Sequence, residues 1–282
     1  MGTYISLEDK IMDNYFKRGF APALPMLSPE ELAYFYDKAT YWDNKLGFMS
    51  SDYRCKSNIL FKWVHELASH PKLLEYIAAA IGPNFDCWDT MLWFKKPGEQ
   101  KGVTPHQDGI YWNWYPRNGV SVWVALTPLT IKDNSPILFY DKSHEQGLQP
   151  HDDITAPGNM LMRNQTVRNI SGEPFESEMD AGTVTLFHPN TIHGGAGPSP
   201  VGNKAERIGV EIIYIANDAK PILHHGIESS IRMCGKPNPN IFYDPAPEKD
   251  FGELEQKFWR RAYDNQHANY YSMTNEIAFG AK

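Results

Sequence analysis

The chain has 282 residues, of which 41% are hydrophobic and 13% aromatic, enough to bury one substantial core in a single domain. Its formal net charge of −7, without a basic stripe, gives no electrostatic basis for nucleic-acid binding, and no apolar run approaches the ~20 residues that span a bilayer. Three widely spaced cysteines fit a reducing compartment better than a disulfide framework, so we expect a cytoplasmic protein.

The N-terminal part is predicted to be mainly helical. A capping residue, Ser6, precedes apolar positions at helical spacing that stop at Gly19. A short extended piece covers 20–27. Ser28-Pro29-Glu30-Glu31 is a capping box with proline at the first helical position, so a second helix is expected from there to about Lys38.

The next stretch, 43–57, has no clear period and is expected to be a loop, either a lid near a binding site or a plain surface excursion. Two helical pieces follow at 61–68 and 71–81. Gly82 marks the end of the second.

From about residue 86 the pattern changes to short β-rich runs separated by Gly, Pro and Asn, which is typical of an antiparallel sandwich or barrel. The predicted strands lie at 86–95, 103–109, 120–126, 137–141, 176–179, 183–188 and 208–215. We therefore expect one domain, in which helices of about 1–85 pack outside a β core of about 86–216. The remainder, about 217–282, is expected to form an irregular cover with a helix near 247–263.

A candidate metal motif, His106-Gln107-Asp108, lies between two aromatic β-like runs. Side chains two residues apart on an extended backbone point to the same side, so the imidazole and the carboxylate can reach one ion. His193, where an apolar run meets a glycine-rich turn, is the best third ligand. Two histidines and one carboxylate form the facial triad of non-haem Fe(II) oxygenases.

Other readings of the histidines remain open at this stage. The chain has a second copy of the motif, His151-Asp152-Asp153, which follows a loop signature and lacks flanking alternation. His106 and Asp108 can also be a hydrogen-bonded polar pair on a strand. His188 competes with His193 as a ligand or can be a core residue, and the pair at 224–225 is expected in a loop.

A fourth group strengthens the metal prediction. Arg207 begins a β-like run that can lie beside the strand ending at His193. Its planar guanidinium matches a carboxylate, as an organic-acid co-substrate requires, although a surface or ion-paired arginine is the alternative.

Longer motifs extend from about Tyr15 to Tyr214. They are Lys95-Lys-Pro-Gly98, Thr104-Pro-His-Gln-Asp-Gly-Ile-Tyr-Trp112, Val122-Trp-Val-Ala-Leu126, Asn134-Ser-Pro-Ile-Leu-Phe-Tyr-Asp-Lys-Ser-His144, Asn159-Met-Leu161 with Gln165, His193-Gly-Gly-Ala-Gly-Pro198 and Arg207-Ile-Gly209. Together they resemble the phytanoyl-CoA dioxygenase family of Fe(II)/2-oxoglutarate oxygenases. The chain departs from that pattern at Ser135, where glycine is usual, and in a spacing to Arg207 that is about three residues longer.

This resemblance implies a mainly β fold with flanking helices, a double-stranded β-helix or cupin-like jelly roll. It implies that Fe(II) is held by His106, Asp108 and His193. It also implies that 2-oxoglutarate chelates the iron while Arg207 pairs with the distal carboxylate.

The resemblance further implies that Trp123 packs on 2-oxoglutarate and that Thr104 or Lys95 adds a polar contact. With O2, such an enzyme oxidises a substrate C–H bond, by default to an alcohol, and releases succinate and CO2. Related halogenases have a small residue in place of the carboxylate, so Asp108 argues against halogenation.

The substrate is less well specified. Tyr111, Trp112, Trp114 and Tyr115 are candidates for an aromatic wall around a small, partly apolar molecule, although such residues are often core. Two rival functions remain, a cupin-type metalloenzyme that needs no 2-oxoglutarate and a catalytically inactive binding protein of the same fold. The sequence does not predict an oligomeric state.

Overall fold

The structure, a computed structural model, describes residues 7–154, 157–163, 165–195 and 204–281. Its helices are α1 (Leu7–Arg18), α2 (Pro29–Leu46), α3 (Ser57–Leu60), α4 (Lys62–Ala68), α5 (Pro71–Ile81), α6 (Glu253–Ser272) and α7 (Asn275–Gly280). Its strands are β1 (Leu24–Pro25), β2 (Phe85–Lys95), β3 (Val103–His106), β4 (Trp114–Tyr115), β5 (Gly119–Ala125), β6 (Ile137–Phe139), β7 (His151–Asp153), β8 (Gln165–Val167), β9 (Phe175–Ser177), β10 (Thr183–Phe187), β11 (His193–Gly195), β12 (Arg207–Ala216), β13 (Lys220–Pro221), β14 (Ser229–Cys234) and β15 (Phe242–Tyr243). Ser6, the capping residue expected for α1, lies outside the described residues.

The second helix begins as predicted and ends later. The Ser28 hydroxyl accepts from the Glu31 backbone N–H, and the Glu31 carboxylate accepts from the Ser28 N–H, so the capping box is present. The helix continues to Leu46 because no residue after Lys38 interrupts it until Gly47, whose left-handed backbone (φ 61°) ends it.

The loop expected over 43–57 is therefore wrong in its first part. The rest consists of two 3-10 turns and the start of α3. Phe48 and Lys56 are fully buried, and Cys55 is 3% exposed. Most of this segment is therefore packed against the core, although Ser50 and Asp52 are exposed.

Two sheets form the β core. A seven-stranded sheet has the order β1-β10-β5-β12-β2-β14-β15, and a four-stranded sheet has the order β3-β11-β6-β9. Neighbouring strands pair antiparallel except β14 with β15. One apolar cluster joins the two sheets, through Trp93, Trp123 and Phe187 on one side and Ile137 and Phe139 on the other. The predicted class, mainly β with flanking helices in a double-stranded β-helix, is confirmed.

The large sheet has a different role on each face because side chains alternate along a strand. On β5, Val120, Val122 and Val124 pack in the main cluster with helix residues such as Trp63, whereas Trp123 packs in the cluster between the sheets. The helices thus cover the outer face, and the inner face is left to line a site.

The C-terminal part contributes more than the expected cover. Strand β14, which was not predicted, pairs with β2 at the edge of the large sheet. The helix expected near 247–263 is α6, which begins at Glu253 and continues to Ser272. None of the helices in the described residues has both the length and the apolar character that crossing a membrane requires.

Candidate active site

The histidines of the predicted metal site lie on neighbouring strands of the small sheet. His106 ends β3 and His193 begins β11, and the two face each other in antiparallel register. Gln107 keeps an extended backbone, so Asp108 points to the same side as His106 although it starts a 3-10 turn rather than continuing the predicted strand. The Nε2 atoms of His106 and His193 lie 3.3 and 3.4 Å from the same Asp108 Oδ1 atom. The structure therefore brings these three residues together, with ligand atoms within 4.8 Å of one another.

Backbone carbonyls orient both imidazoles. Nδ1 of His106 lies 2.8 Å from the Thr104 carbonyl oxygen, and Nδ1 of His193 lies 3.0 Å from the Thr191 carbonyl oxygen. Because a carbonyl only accepts hydrogen bonds, each Nδ1 carries the proton and donates. Each Nε2 then presents its lone pair, which is the arrangement that metal-binding histidines use.

The protonation states also suit metal binding. Burial lowers the pKa of His193 to about 4, so its ring is neutral near pH 7. Burial by itself raises the pKa of Asp108, but the His193 and His106 rings and the Ser121 hydroxyl, which donates to Oδ2, together lower it below its ordinary value. A neutral imidazole and an ionised carboxylate are the forms that bind metal ions.

His151, from the second copy of the motif, lies on a strand rather than in the expected loop. It belongs to β7, which pairs with β8, and is 2% exposed. Its Nδ1 donates to the Gln149 carbonyl (2.8 Å), and its Nε2 accepts from the Gln107 backbone N–H (3.0 Å). It thus supports the backbone between His106 and Asp108 without joining them.

The remaining candidate histidines lie away from this cluster. Nδ1 of His188 accepts from the Asn190 backbone N–H, and the ring borders a different groove. The pair at 224–225 is exposed in a loop, as predicted.

Three cations, Lys95, Lys101 and Arg207, line the same cavity as His106 and His193, and Lys101 pairs with Glu99 (2.7 Å). Arg207 begins β12 and lies directly opposite Lys95 of β2. Burial lowers the pKa of Arg207 to about 10, and burial followed by the charge of Arg207 lowers the pKa of Lys95 to about 8. Among the described residues, neither Arg207 nor Lys95 has a carboxylate within 4 Å, and the buried Lys95 Nζ has no hydrogen-bond partner. An anion that bridges these two cations would satisfy them.

Arg207 is held in place by its surroundings. Its Nη1 donates to the Ser135 carbonyl (2.9 Å), and its guanidinium carbon lies 4.8 Å from the centre of the Trp123 ring. Ser135 has a left-handed backbone (φ 66°), which explains why glycine is the usual residue there. Asn134 donates to the backbone carbonyls of Pro128 and Glu206, which fixes the start of β12.

The indole of Trp123 lies so close to Gly209 that a larger residue at position 209 would not fit. A Cβ atom on Gly209 would lie 2.2 Å from Cζ2 of the indole. The glycine in Arg207-Ile-Gly209 therefore makes room for the ring, which in turn contacts the guanidinium.

The Thr104 hydroxyl makes its hydrogen bonds within the protein. Its hydroxyl donates to the Gln165 carbonyl (2.6 Å) and accepts from the Asn159 side chain (3.1 Å). It is not among the residues that line the cavity. Through the bond to Gln165, Thr104 joins β3 to β8.

A second cavity of about 70 Å³ borders the metal-binding group on the side of His106 and Asp108. Tyr111 and Trp112, two of the candidates for an aromatic wall, line it. Trp114 does not, because its indole is fully buried in a core cluster that also contains Trp88 and Trp112. Tyr115 is 37% exposed and borders the outer groove instead.

Sequence reasoning missed three polar residues of these cavities. Glu211, on the same face of β12 as Arg207, lines both cavities and accepts from Trp93 Nε1 (2.8 Å). Burial, then the charge of Asp108, raises the pKa of Glu211 well above its ordinary value. Asp89 of β2 and Gln266 of α6 line the second cavity. The alternation Arg207-Ile-Gly-Val-Glu211 was a usable signal for Glu211, whereas nothing local marked Gln266.

Solved structures share this fold over most of the chain. The non-haem monooxygenase ThoJ, in its apo form, is 20% identical over 93% of this chain and 98% of that chain, with a TM-score of 0.82. The epimerase SnoN in complex with Fe3+, α-ketoglutarate and nogalamycin RO is 17% identical over 76% and 85%, with a TM-score of 0.60. EvdO2 from Micromonospora carbonacea var. aurantiaca, complexed with 2-oxoglutarate, is 17% identical over 86% and 100%, with a TM-score of 0.57. At these identities the similarity shows the fold.

Sequence comparison gives the family. No curated protein matches this chain. The family model for phytanoyl-CoA dioxygenase matches residues 47–199, which is more than half of the chain and includes His106, Asp108 and His193. The chain therefore belongs to the phytanoyl-CoA dioxygenase family.

Proposed function

We propose that the protein is an Fe(II)- and 2-oxoglutarate-dependent oxygenase that oxidises a C–H bond of a small molecule, with hydroxylation as the default reaction. One observation carries this proposal. A single cavity is lined by two residues of a metal-binding triad, His106 and His193, and by the cations Arg207 and Lys95, neither of which has a carboxylate partner among the described residues.

The three donor groups fit iron. Two imidazoles that present Nε2 and one carboxylate would hold the metal and leave up to three coordination positions open. Asp108 occupies a position that a halide would need, so oxygenation is favoured over halogenation. Relatives of the same fold that were solved with iron or with 2-oxoglutarate support the choice of ligands.

The cations fit the distal carboxylate of 2-oxoglutarate. A guanidinium offers two parallel N–H donors to a carboxylate, and Lys95 adds a third donor that lacks a protein partner among the described residues. Trp123, whose ring contacts Arg207, and Phe187, whose ring contacts His193, contribute apolar walls to the cavity, and such walls exclude water and strengthen charge pairing.

Iron and 2-oxoglutarate bound together supply the oxidising chemistry, in which O2 oxidatively decarboxylates the co-substrate to succinate and CO2 and the substrate C–H bond is oxidised. The chain's own residues hold and orient these groups. The Ser121 hydroxyl donates to Oδ2 of Asp108 and holds the carboxylate in place, so Oδ1 of Asp108 stays directed at the two histidines.

The test is an anaerobic titration of the Fe(II)-loaded protein with 2-oxoglutarate, monitored by the weak visible charge-transfer band of the chelate. We expect the wild type to form the band and Arg207→Met to need at least ten-fold more 2-oxoglutarate while binding iron normally. An unchanged 2-oxoglutarate affinity in Arg207→Met favours a cupin-type enzyme that does not use this co-substrate. A folded wild type that forms no band favours a non-catalytic binding protein.

A further inference from the structure

The second cavity has dimensions that suit one compact group. Its volume of about 70 Å³ corresponds to roughly five to seven waters at ~10–15 Å³ each, or to one ring-sized group. His106 and Asp108 form part of its wall. A group held there has its C–H bonds next to the proposed iron site.

The walls of this cavity are rich in aromatic rings. The rings that line it belong to Trp88, Trp93, Trp112, Tyr111 and Tyr270. Trp88 and Trp112 meet edge to face, with ring centres 6.0 Å apart. The faces of such rings carry partial negative charge and attract cations, most strongly when water is excluded.

A firmly oriented carboxylate faces the same space. Oδ1 of Asp89 accepts from the backbone N–H groups of Lys56 (2.9 Å) and Thr90 (2.7 Å), and Oδ2 accepts from Gln266 Nε2 (2.7 Å). Each carboxylate oxygen can accept more than one hydrogen bond, so Oδ2 retains capacity for a ligand. Glu211 adds a second carboxyl group to the wall, and the charge of Asp89 contributes to raising its pKa.

Basic side chains contact the aromatic walls but do not line the cavity. The guanidinium carbon of Arg54 lies 5.1 Å from the Trp93 ring centre, and that of Arg163 lies 5.8 Å from the Tyr111 ring centre. Within the described part of the chain, no lysine or arginine is among the lining residues. Lys56 Nζ likewise lies 5.5 Å from the Trp88 ring centre, and the charge of Arg54 acts on Glu211 from outside the lining. Among the described lining residues, the acidic groups therefore have no protein cation beside them.

The Tyr111 hydroxyl is a second, independent sign of a ligand. Tyr111 is 6% exposed and lines the cavity, and its hydroxyl has no hydrogen-bond partner among the described residues. A buried hydroxyl without a partner costs free energy, which a polar ligand in the cavity would recover.

We propose that this cavity binds a compact organic cation, so that the oxidised part of the substrate carries or adjoins a positively charged nitrogen that Asp89 and the aromatic walls hold. This inference rests on the proposed oxygenase function, since it places the cation beside the proposed iron. It adds the class of substrate, which the family does not specify.

The test compares three probes of the same shape and different charge. Tetramethylammonium, tert-butanol and pivalate are titrated into the anaerobic Fe(II) and 2-oxoglutarate complex, and binding is followed by the shift of the chelate band and by tryptophan fluorescence. We expect tetramethylammonium to bind at least ten-fold more tightly than tert-butanol, and pivalate to bind most weakly. Asp89→Asn should lower the affinity for tetramethylammonium about ten-fold and leave the affinity for tert-butanol unchanged. Asp152→Asn, at an exposed carboxylate paired with Arg168, is the matched control and should change neither.

Equal binding of the cation and the neutral probe would overturn the proposal. Tighter binding of pivalate would also overturn it and would indicate that Arg54 pairs with an anionic substrate. The ranking of the three probes is also measured by tryptophan fluorescence on the metal-free protein. Failure of the chelate band to form therefore counts against the oxygenase function, while the ranking still decides the charge of the ligand.

Discussion

Adding one methyl group at Gly209 tests whether the contact between Trp123 and Arg207 builds the co-substrate site. In Gly209→Ala the new Cβ would lie 2.2, 2.4 and 2.6 Å from three indole atoms of Trp123. Ordinary contact begins at 3.4 Å, so the ring must move by about 1.2 Å relative to the strand. The ring is 7% exposed and packs against Trp93, which leaves it little room to move.

The cost follows from overpacking. Forcing a methyl group into a filled core costs about 1–3 kcal/mol, and a chain of this size loses about 2–4 °C of melting temperature per kcal/mol. We therefore expect Gly209→Ala to melt about 2–12 °C below its control. The control for melting alone is Gly195→Ala, because the Cβ on Gly195 meets its nearest neighbour, Nη1 of Arg207, at an ordinary contact distance of 3.5 Å. Both substitutions restrict the unfolded chain equally.

The same change should weaken the binding of 2-oxoglutarate. Charge-assisted hydrogen bonds are worth about 1.5–3 kcal/mol, so a displaced Arg207 guanidinium should lower the affinity about 10- to 100-fold. The assays are differential scanning calorimetry and anaerobic titration of the Fe(II)-loaded protein, with iron binding measured separately and expected to be unchanged. Equal melting temperatures for Gly209→Ala and Gly195→Ala, together with a wild-type affinity for 2-oxoglutarate, would refute the reasoning.

Three further outcomes are expected. In equilibrium dialysis His106→Ala should abolish Fe(II) binding, whereas His151→Ala should keep one ion per chain with about 10- to 100-fold weaker affinity. The reverse result would make His151 the ligand and His106 the supporting residue. The affinity for 2-oxoglutarate should fall as the pH rises through about 8, because the pKa of Lys95 is lowered to about 8 and the neutral amine no longer pairs with a carboxylate. Lys95→Met should remove this pH dependence. A wild-type affinity that does not change with pH would contradict the expectation. Thr104→Val should leave the affinity for 2-oxoglutarate within about two-fold and lower the free energy of unfolding by about 1 kcal/mol, since the Thr104 hydroxyl donates to the Gln165 carbonyl. A large loss of affinity, measured by calorimetric titration, would show that Thr104 contributes to the co-substrate site.

Some features of this protein follow from the sequence alone because they depend on neighbours along the chain. The capping box at Ser28 needs only four residues, and the shared direction of His106 and Asp108 needs only an extended backbone between them. Arg207, Gly209 and Glu211 share one face of a strand for the same reason, although only the first was recognised as part of the site. These features are local, so propensity and alternation are enough to predict them.

The tertiary structure decided everything that depends on which strands are neighbours. It set His193 opposite His106, placed Lys95 beside Arg207, and buried Trp114 completely, while Trp112, two residues earlier and in the same core cluster, lines a cavity. Two indoles of the same size and similar local sequence differ only in what the rest of the fold brings against them. Which distant strands pair is selected by the burial of whole sheet faces. That burial depends on many residues far apart in the sequence, so a short sequence window does not predict it.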